Sequence, residues 1–259
     1  FCRYDSFYFL FSSDTGRFFY SDLQKTMTSY LFDVDGTLTN PREPANPEFC
    51  RHFAEWVLSV QSGGSEVFLV TGSDKSKTLE QIGSPLYRLM NGVYQNCGNQ
   101  FFIRNSLVYE SRWAISAHLR LDLLILAERS VWFGKATHNI EERVGMANFS
   151  TIGRTATPQQ RAAYAMWDEA TGERQRNAEW LSMRYPRLQF DIGGEISTDI
   201  YPKGKDKSQV LEHMDQYTVF FGDKCDEGGN DYKISRGADK FHQVNGWKET
   251  LSIIDNHYA

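Results

Sequence analysis

The sequence predicts an α/β protein: a parallel sheet covered by helices, with an α+β unit inserted into it. Three observations carry that expectation. Short apolar runs alternate with stretches of helical periodicity from residue 29 to about 82, the βαβα rhythm of a parallel sheet. That rhythm is lost in the middle of the chain and returns after residue 204. Three of the apolar runs end in polar signatures, DVDG at 33–36, TGSD at 71–74 and GDK at 222–224. In open parallel sheets ligands collect at the carboxyl ends of the strands, so distant segments of this kind meet in one crevice.

Taken in order, residues 29–33 read as a buried strand. In 47–61, Phe49, Phe53, Trp56, Val57 and Val60 recur on one helical face, and Gly63 and Gly64 end the helix. EVFLV at 66–70 is a second buried strand, and a helix over 75–82 follows, interrupted by Gly83 and Pro85. Residues 92–110 suggest short strands and turns. The middle section predicts a helix over 113–132, an extended piece over 146–153 and a helix over 158–184, with Pro158 near its start and Pro186 beyond its end. Two strands over 189–202 surround Gly193 and Gly194. The final third predicts an entry turn and helix at 204–216, a buried strand at 218–224, a helix or turn at 231–238, and a last strand and helix.

A chain of 259 residues has room for a core domain plus a substantial second one. Hydrophobic residues make up 41% and charged residues 24%, which excludes general disorder. The net charge of -5 gives no electrostatic reason to expect nucleic acid as a partner. Cys2, Cys50, Cys97 and Cys225 show neither metal-ligand spacing nor a disulfide rhythm, which fits a reducing, cytoplasmic setting. Residues 1–26 are aromatic-rich, and their apolar run FYFLF is too short to span a bilayer, so no membrane association is expected. They read as an upstream extension, with the functional domain beginning near Met27.

The chemistry starts at Asp33 and Asp35. Period-two alternation puts both carboxylates on one side of an extended segment, where they can share a cation or divide nucleophilic and acid–base work. Gly36 permits a tight turn, and Thr37 offers a hydroxyl to a phosphoryl oxygen. Ser197 and Asp199, two residues apart in ISTDI, share one face of their strand. The pair in DVDG points to phosphoryl chemistry, although a lone DxD is equally compatible with a solvated loop or a generic cation site.

LFDVDGTLT, LVTGSD, the lysine of GKDK and FFGDKCDEGGNDYKI resemble the four motifs of haloacid-dehalogenase-type phosphotransferases. PR at 41–42, EERVGMANFSTIGR at 141–154, QQR at 159–161 and GGEISTDIYPKGKDK at 193–207 are similar, more narrowly, to eukaryotic-type phosphomannomutases. The similarity runs from Met27 to about Ile254, with Thr71 where the family commonly has glycine, Glu142 where it has an aromatic residue, and NCG at 96–98 where it has ENG.

That resemblance implies a Rossmann-like core formed by 27–106 and 204–259 and a substrate-binding cap over 107–203. It implies Asp33 as a nucleophile that becomes an aspartyl phosphate, Asp35 as general acid–base, and Lys207 as the balancing cation, in preference to Lys203 or Lys205. Thr71 and Ser73 compete for the phosphate-binding hydroxyl. The implied metal is Mg²⁺, held at Asp33, through the backbone of Asp35, and at Asp223, with Asp231 completing its shell or serving as a helix cap. Arg42, Arg143, Arg154 and Arg161 resemble the set that grips the distal phosphate of a hexose 1,6-bisphosphate, while Asn148, Ser197 and Asp199 meet the sugar. The implied reaction exchanges mannose 6-phosphate and mannose 1-phosphate in a cap-mediated homodimer. A Mg²⁺-dependent sugar-phosphate phosphatase and a catalytically impaired phosphosugar-binding protein would share these residues.

Overall fold

A computed structural model describes residues 27–41 and 43–258; the expectations for residues 1–26 and for Arg42 lie outside the described residues. The chain order is β1 (Thr28–Phe32), α1 (Pro47–Ser62), β2 (Glu66–Val70), α2 (Lys75–Leu89), β3 (Gly92–Gln95), β4 (Gln100–Ile103) and β5 (Ser106–Glu110). Next come α3 (Ala117–Arg129), β6 (Ile140–Arg143), β7 (Met146–Phe149), α4 (Pro158–Thr171), α5 (Glu173–Arg184), β8 (Leu188–Gly193) and β9 (Ser197–Pro202). A short 3₁₀ helix (Lys207–His213), β10 (Tyr217–Gly222), α6 (Tyr232–Gly237), β11 (Lys240–Gln243) and α7 (Trp247–His257) complete the chain.

The core sheet has seven strands in the order β11-β10-β1-β2-β3-β4-β5. The first five are parallel, and β4 and β5 continue the sheet antiparallel. Both faces are buried, which is why the central strands read as continuous apolar runs. Tyr30, Phe32, Val67, Leu69, Val219 and Phe221 face α1, α2 and α7, while Leu31, Phe68, Val70 and Phe220 face Val210 and Ile234 on the other side. β1 lies between β2 and β10, so the chain leaves it in one direction and returns on the other, creating a crevice at its carboxyl end.

A second sheet, β6-β7-β9-β8, is antiparallel throughout and forms the cap. Its register aligns Glu142, Ala147, Ile200 and Phe190 in one row and Glu141, Asn148, Asp199 and Asp191 in the next. Adjacent rows point to opposite faces of a sheet. Ala147, Phe190 and Ile200 pack with Leu119 and Leu123 of α3 and Ala178 and Leu181 of α5, leaving the polar row on the other face. Arg174 ties the helices to the β8–β9 turn: its Nε donates to Asp168 at 2.7 Å and its Nη1 to the Gly194 carbonyl at 2.9 Å. Both side chains are nearly buried, and removing one partner of such a pair costs about 3–5 kcal/mol.

Several elements depart from the sequence-based expectations. α2 extends to Leu89 because Gly83, at φ 75°, breaks it without ending it, and Pro85 then sits early in the resumed helix. The expected helix over 158–184 is two helices, divided where Gly172 adopts a left-handed conformation (φ 66°). The helix expected over 113–132 contracts to Ala117–Arg129, started by Ser116, whose side chain accepts from the Leu119 amide. Within 204–216 the chain makes only a 3₁₀ helix. The expected core–cap boundary at 106/107 falls inside β5, whose pairing with β4 keeps 106–110 in the core sheet. Among the described residues, no helix is long and apolar enough to cross a membrane.

Candidate active site

The site is assembled where parallel strands stop. Phe32 is in register with Phe221 and with Leu69, so the residues just beyond the strands, Asp33, Asp223 and Thr71, emerge side by side. The Asp33 amide extends the ladder by donating to the Phe221 carbonyl at 2.9 Å. Gly36 then turns the chain at φ +80°, and a side chain there would collide with the Asp223 carboxylate. Glycine is therefore required twice, by the backbone conformation and by the close approach.

Asp33, Asp223 and Asp231 bring carboxylate oxygens within 4.8 Å of one another. Lys207 is 1% exposed, and its Nζ donates to Asp33 Oδ1 and Asp231 Oδ1, both at 2.6 Å. One ammonium among three carboxylates leaves a negative excess in a set of hard oxygen donors, the chemistry that fits a divalent cation. Asp231 stands at the N-cap position of α6 but does not cap it; its carboxylate turns to Lys207 and accepts from the Lys224 amide at 3.3 Å.

Electrostatics follow from this packing. Burial, with Asp231 adding repulsion and Lys207 opposing both, pushes the Asp33 carboxyl up to about 7. Burial also raises Asp223, with Asp231 again adding repulsion. For Lys207, burial disfavours the charge, but Asp33 and Asp231 overcome it and hold the ammonium above its ordinary value. A bound cation reverses this logic for the carboxylates by favouring their charged forms.

The Asp35 carboxylate belongs to a neighbouring set of contacts. Gln81 donates to Oδ1 at 2.8 Å, and Lys77 and Ser73 donate to Oδ2 at 3.0 and 3.3 Å. Lys77 and Gln81 lie outside every motif in the sequence. Their signal was present in the fourfold spacing of Ser73, Lys77 and Gln81, which puts them on one face of α2 and its entry turn. Thr71 Oγ1 accepts from the Ser73 amide at 3.0 Å, and both residues line the cavity. Thr37, expected to offer a hydroxyl to phosphate, is fully buried, and its carbonyl accepts from Thr250 of α7 at 2.9 Å.

A cavity of about 660 Å³ joins core and cap: Asp33, Asp35, Thr71, Ser73, Lys77 and Asp223 line it together with Glu141 and Arg143 of β6. Arg154 reaches the same cap residue, donating from Nε to Glu141 Oε2 at 2.9 Å and from Nη1 to Ser197 Oγ at 2.7 Å. Asn148 donates to Asp199 Oδ1 at 2.5 Å, and burial holds the Asp199 carboxyl above its usual range. Arg161 points elsewhere, donating to the carbonyls of Ala156 and Arg154 at 3.2 Å and bracing the loop behind Arg154. Glu142 faces the back of the cap sheet and pairs with Arg120 of α3, so this departure from the family pattern lies away from the cavity. In the NCG loop, the Cys97 amide donates to the Thr71 carbonyl at 2.9 Å and its carbonyl accepts from Gln209 at 2.7 Å, which ties the loop to the Lys207 segment.

A family model described as eukaryotic phosphomannomutase matches residues 57–259. The chain belongs to the eukaryotic phosphomannomutase family. Among the family's proteins, the phosphomannomutase of Arabidopsis thaliana is 35% identical over 79% of this chain and 85% of its own length. Those of Galdieria sulphuraria and Drosophila melanogaster are 32% and 33% identical, over 88% and 86% of this chain and 93% and 92% of their own. The fold resembles a haloacid dehalogenase-like hydrolase from Bacteroides thetaiotaomicron (TM-score 0.56, 13% identity, 90% of this chain and 100% of that one). It also resembles a trehalose-6-phosphate phosphatase from Aspergillus fumigatus (TM-score 0.53, 15% identity, 89% and 93%). These two likenesses bear on the fold alone. Family membership and the Asp33–Asp223–Asp231 cluster identify an enzyme, and its fold is that of haloacid-dehalogenase-like proteins.

Replacing Gly36 by alanine should push Asp223 out of the cluster. The expected result is a loss of divalent-cation affinity of roughly tenfold or more, measured by calorimetric titration, with a stability loss of about 1–2 kcal/mol. Unchanged affinity would contradict the role given to this close approach.

Proposed function

We propose that this chain interconverts mannose 6-phosphate and mannose 1-phosphate by way of a phosphate carried on Asp33. The observation that carries the reading is a single cavity lined by Asp33 and Asp35 on the core side and Arg143 on the cap side. A phosphatase needs a nucleophile and an acid–base group; a mutase must also hold a second phosphate while the first reacts.

The proposed cycle begins with hexose 1,6-bisphosphate, its distal phosphate on Arg143 and Arg154, with Arg42 assigned to the same task by family resemblance and Arg161 bracing the loop that carries Arg154. An Asp33 carboxylate oxygen attacks the near phosphorus, and the bond from phosphorus to the sugar oxygen breaks. Asp35 gives that oxygen a proton, so the sugar leaves as a monophosphate. The monophosphate turns within the cleft and presents its other hydroxyl. Asp35 takes the proton from this hydroxyl as it attacks the phosphoryl group on Asp33, restoring the carboxylate and a bisphosphate. Lys207 stabilises the negative charge on Asp33 and the phosphoryl oxygens, and Thr71 and Ser73 orient those oxygens. Asp33, the Asp35 backbone, Asp223 and Asp231 would hold Mg²⁺, which when bound supplies charge neutralisation to the transferring group. Asn148, Ser197 and Asp199 form the sugar-facing surface, and cap closure excludes the water that would divert the phosphate to hydrolysis.

We assign the solvent side of α3 to a second copy of this chain. Leu121, Leu124 and Ile125 are exposed there although Leu119, Leu123 and Ala127 of the same helix are buried, so α3 is apolar on both sides. Replacing Leu121 and Leu124 with aspartate should turn a dimer into a monomer by light scattering; a wild-type chain that is monomeric at micromolar concentration would refute the assignment.

The function is tested by following isomer formation and phosphate release together, with Mg²⁺ and a catalytic amount of hexose 1,6-bisphosphate, on mannose and glucose monophosphates. The proposal predicts isomerisation well above release, and a loss of at least about 10²-fold in Asp35→Asn. Release without isomerisation would replace it with a phosphatase, and neither activity would leave a binding protein.

A further inference from the structure

Both oxygens of Glu141 are engaged by the arginines assigned to the distal phosphate. Arg143 Nε donates to Oε1 at 2.8 Å, while Arg154 donates to Oε2 from Nε at 2.9 Å and lies at 2.8 Å through Nη2. The hydrogen bond from Arg143, reinforced by the charges of Arg143 and Arg154, holds the Glu141 carboxyl below its usual range. Two guanidiniums converging on the two oxygens of one carboxylate use the same planar fork they would offer to phosphate. The carboxylate thus already occupies donors that an incoming phosphate needs. Its position is fixed by the cap sheet: Glu141 and Arg143 are two residues apart on β6 and share the polar face, and both line the cavity that holds Asp33.

We infer that Glu141 is a built-in competitor for the distal phosphate, a positioning residue that weakens the grip of Arg143 and Arg154 so that the sugar can let go and turn. The inference rests on the mutase reading and deepens it. In that cycle the distal phosphate must leave its arginines once per turnover, since the two ends of the hexose exchange places. Two uncompensated guanidiniums would bind a dianion strongly and release it slowly. Glu141 lowers the summed charge of the trio from +2 to +1 and recaptures the guanidiniums as the phosphate departs. The three side chains are 39%, 21% and 40% exposed for Arg143, Arg154 and Glu141, so water screens the pairs enough for a dianion to displace the carboxylate. A simple brace that keeps the arginines parallel has the same contacts and the opposite consequence, because removing a brace loosens phosphate binding.

The sign of the effect of Glu141→Gln therefore decides. Glutamine keeps the shape and removes the charge. The expected result is a KM for mannose 6-phosphate lowered roughly threefold to tenfold, with kcat lowered by a similar factor. Single-turnover transfer from hexose 1,6-bisphosphate to Asp33 should keep its rate, and Glu141→Asp should restore most of the turnover. The gain in affinity should vanish in the double variant Glu141→Gln, Arg143→Gln. Calorimetry with inorganic phosphate, without divalent cation, should show tighter binding to Glu141→Gln than to the wild type. A raised or unchanged KM together with unchanged or weaker phosphate binding overturns the competitor. Failure of the mutase reading is distinguishable, since it appears as absence of isomerisation in the wild-type chain, and the phosphate titration still reports on Glu141.

Discussion

The site depends on one buried cation. Lys207 Nζ stands 2.6 Å from both Asp33 and Asp231, and without it two nearly solvent-free carboxylates would face each other at the end of β1. Placing the ammonium there requires the 3₁₀ turn at 207–213, which follows the cap in sequence and returns the chain to the core. The same turn reaches across to the NCG loop through Gln209, so the segment that closes the insertion is also tied to the loop whose Asn96 lines the cavity. Lys207 does not reach all three carboxylates, and the remaining negative charge fits a divalent cation.

Much of this was legible in the chain. DVDG, TGSD and GDK follow apolar runs, and residues at the carboxyl ends of parallel strands meet because the topology gives them no alternative. Lys207 was recognisable from its family context, with Lys203 and Lys205 as competitors; the structure adds that its Nζ is buried between two carboxylates. The less legible parts depend on side-chain direction. Asp231 reads either as part of the metal shell or as a helix cap, and the turn of its carboxylate toward Lys207 shows that it does not cap α6. Thr37 has the right chemistry beside the right aspartates, and after the turn at Gly36 it is fully buried. Helix lengths are hard to read in the sequence where a glycine breaks rather than ends a helix, at Gly83, or divides one into two, at Gly172.

The cap illustrates how period-two alternation divides labour. In EERV, Glu141 and Arg143 face the cavity, whereas Glu142 faces α3 and pairs with Arg120. A substitution that looks as if it belongs to the arginine motif thus acts on the packing of the cap's outer layer. Arg161 makes a related point: it matches the family's motif, yet in this conformation it supports the loop that carries Arg154.

In the proposed cycle phosphate moves through Asp33 from one sugar oxygen to another. Radiolabelled hexose 1,6-bisphosphate, mixed with the enzyme and quenched in acid within one turnover, should leave label on Asp33, identified by peptide mapping and absent from Asp33→Asn. A chase with unlabelled mannose 6-phosphate should carry that label into hexose phosphate rather than inorganic phosphate. Label that never appears on Asp33, or that passes to water as fast with the sugar present as without it, would contradict the account.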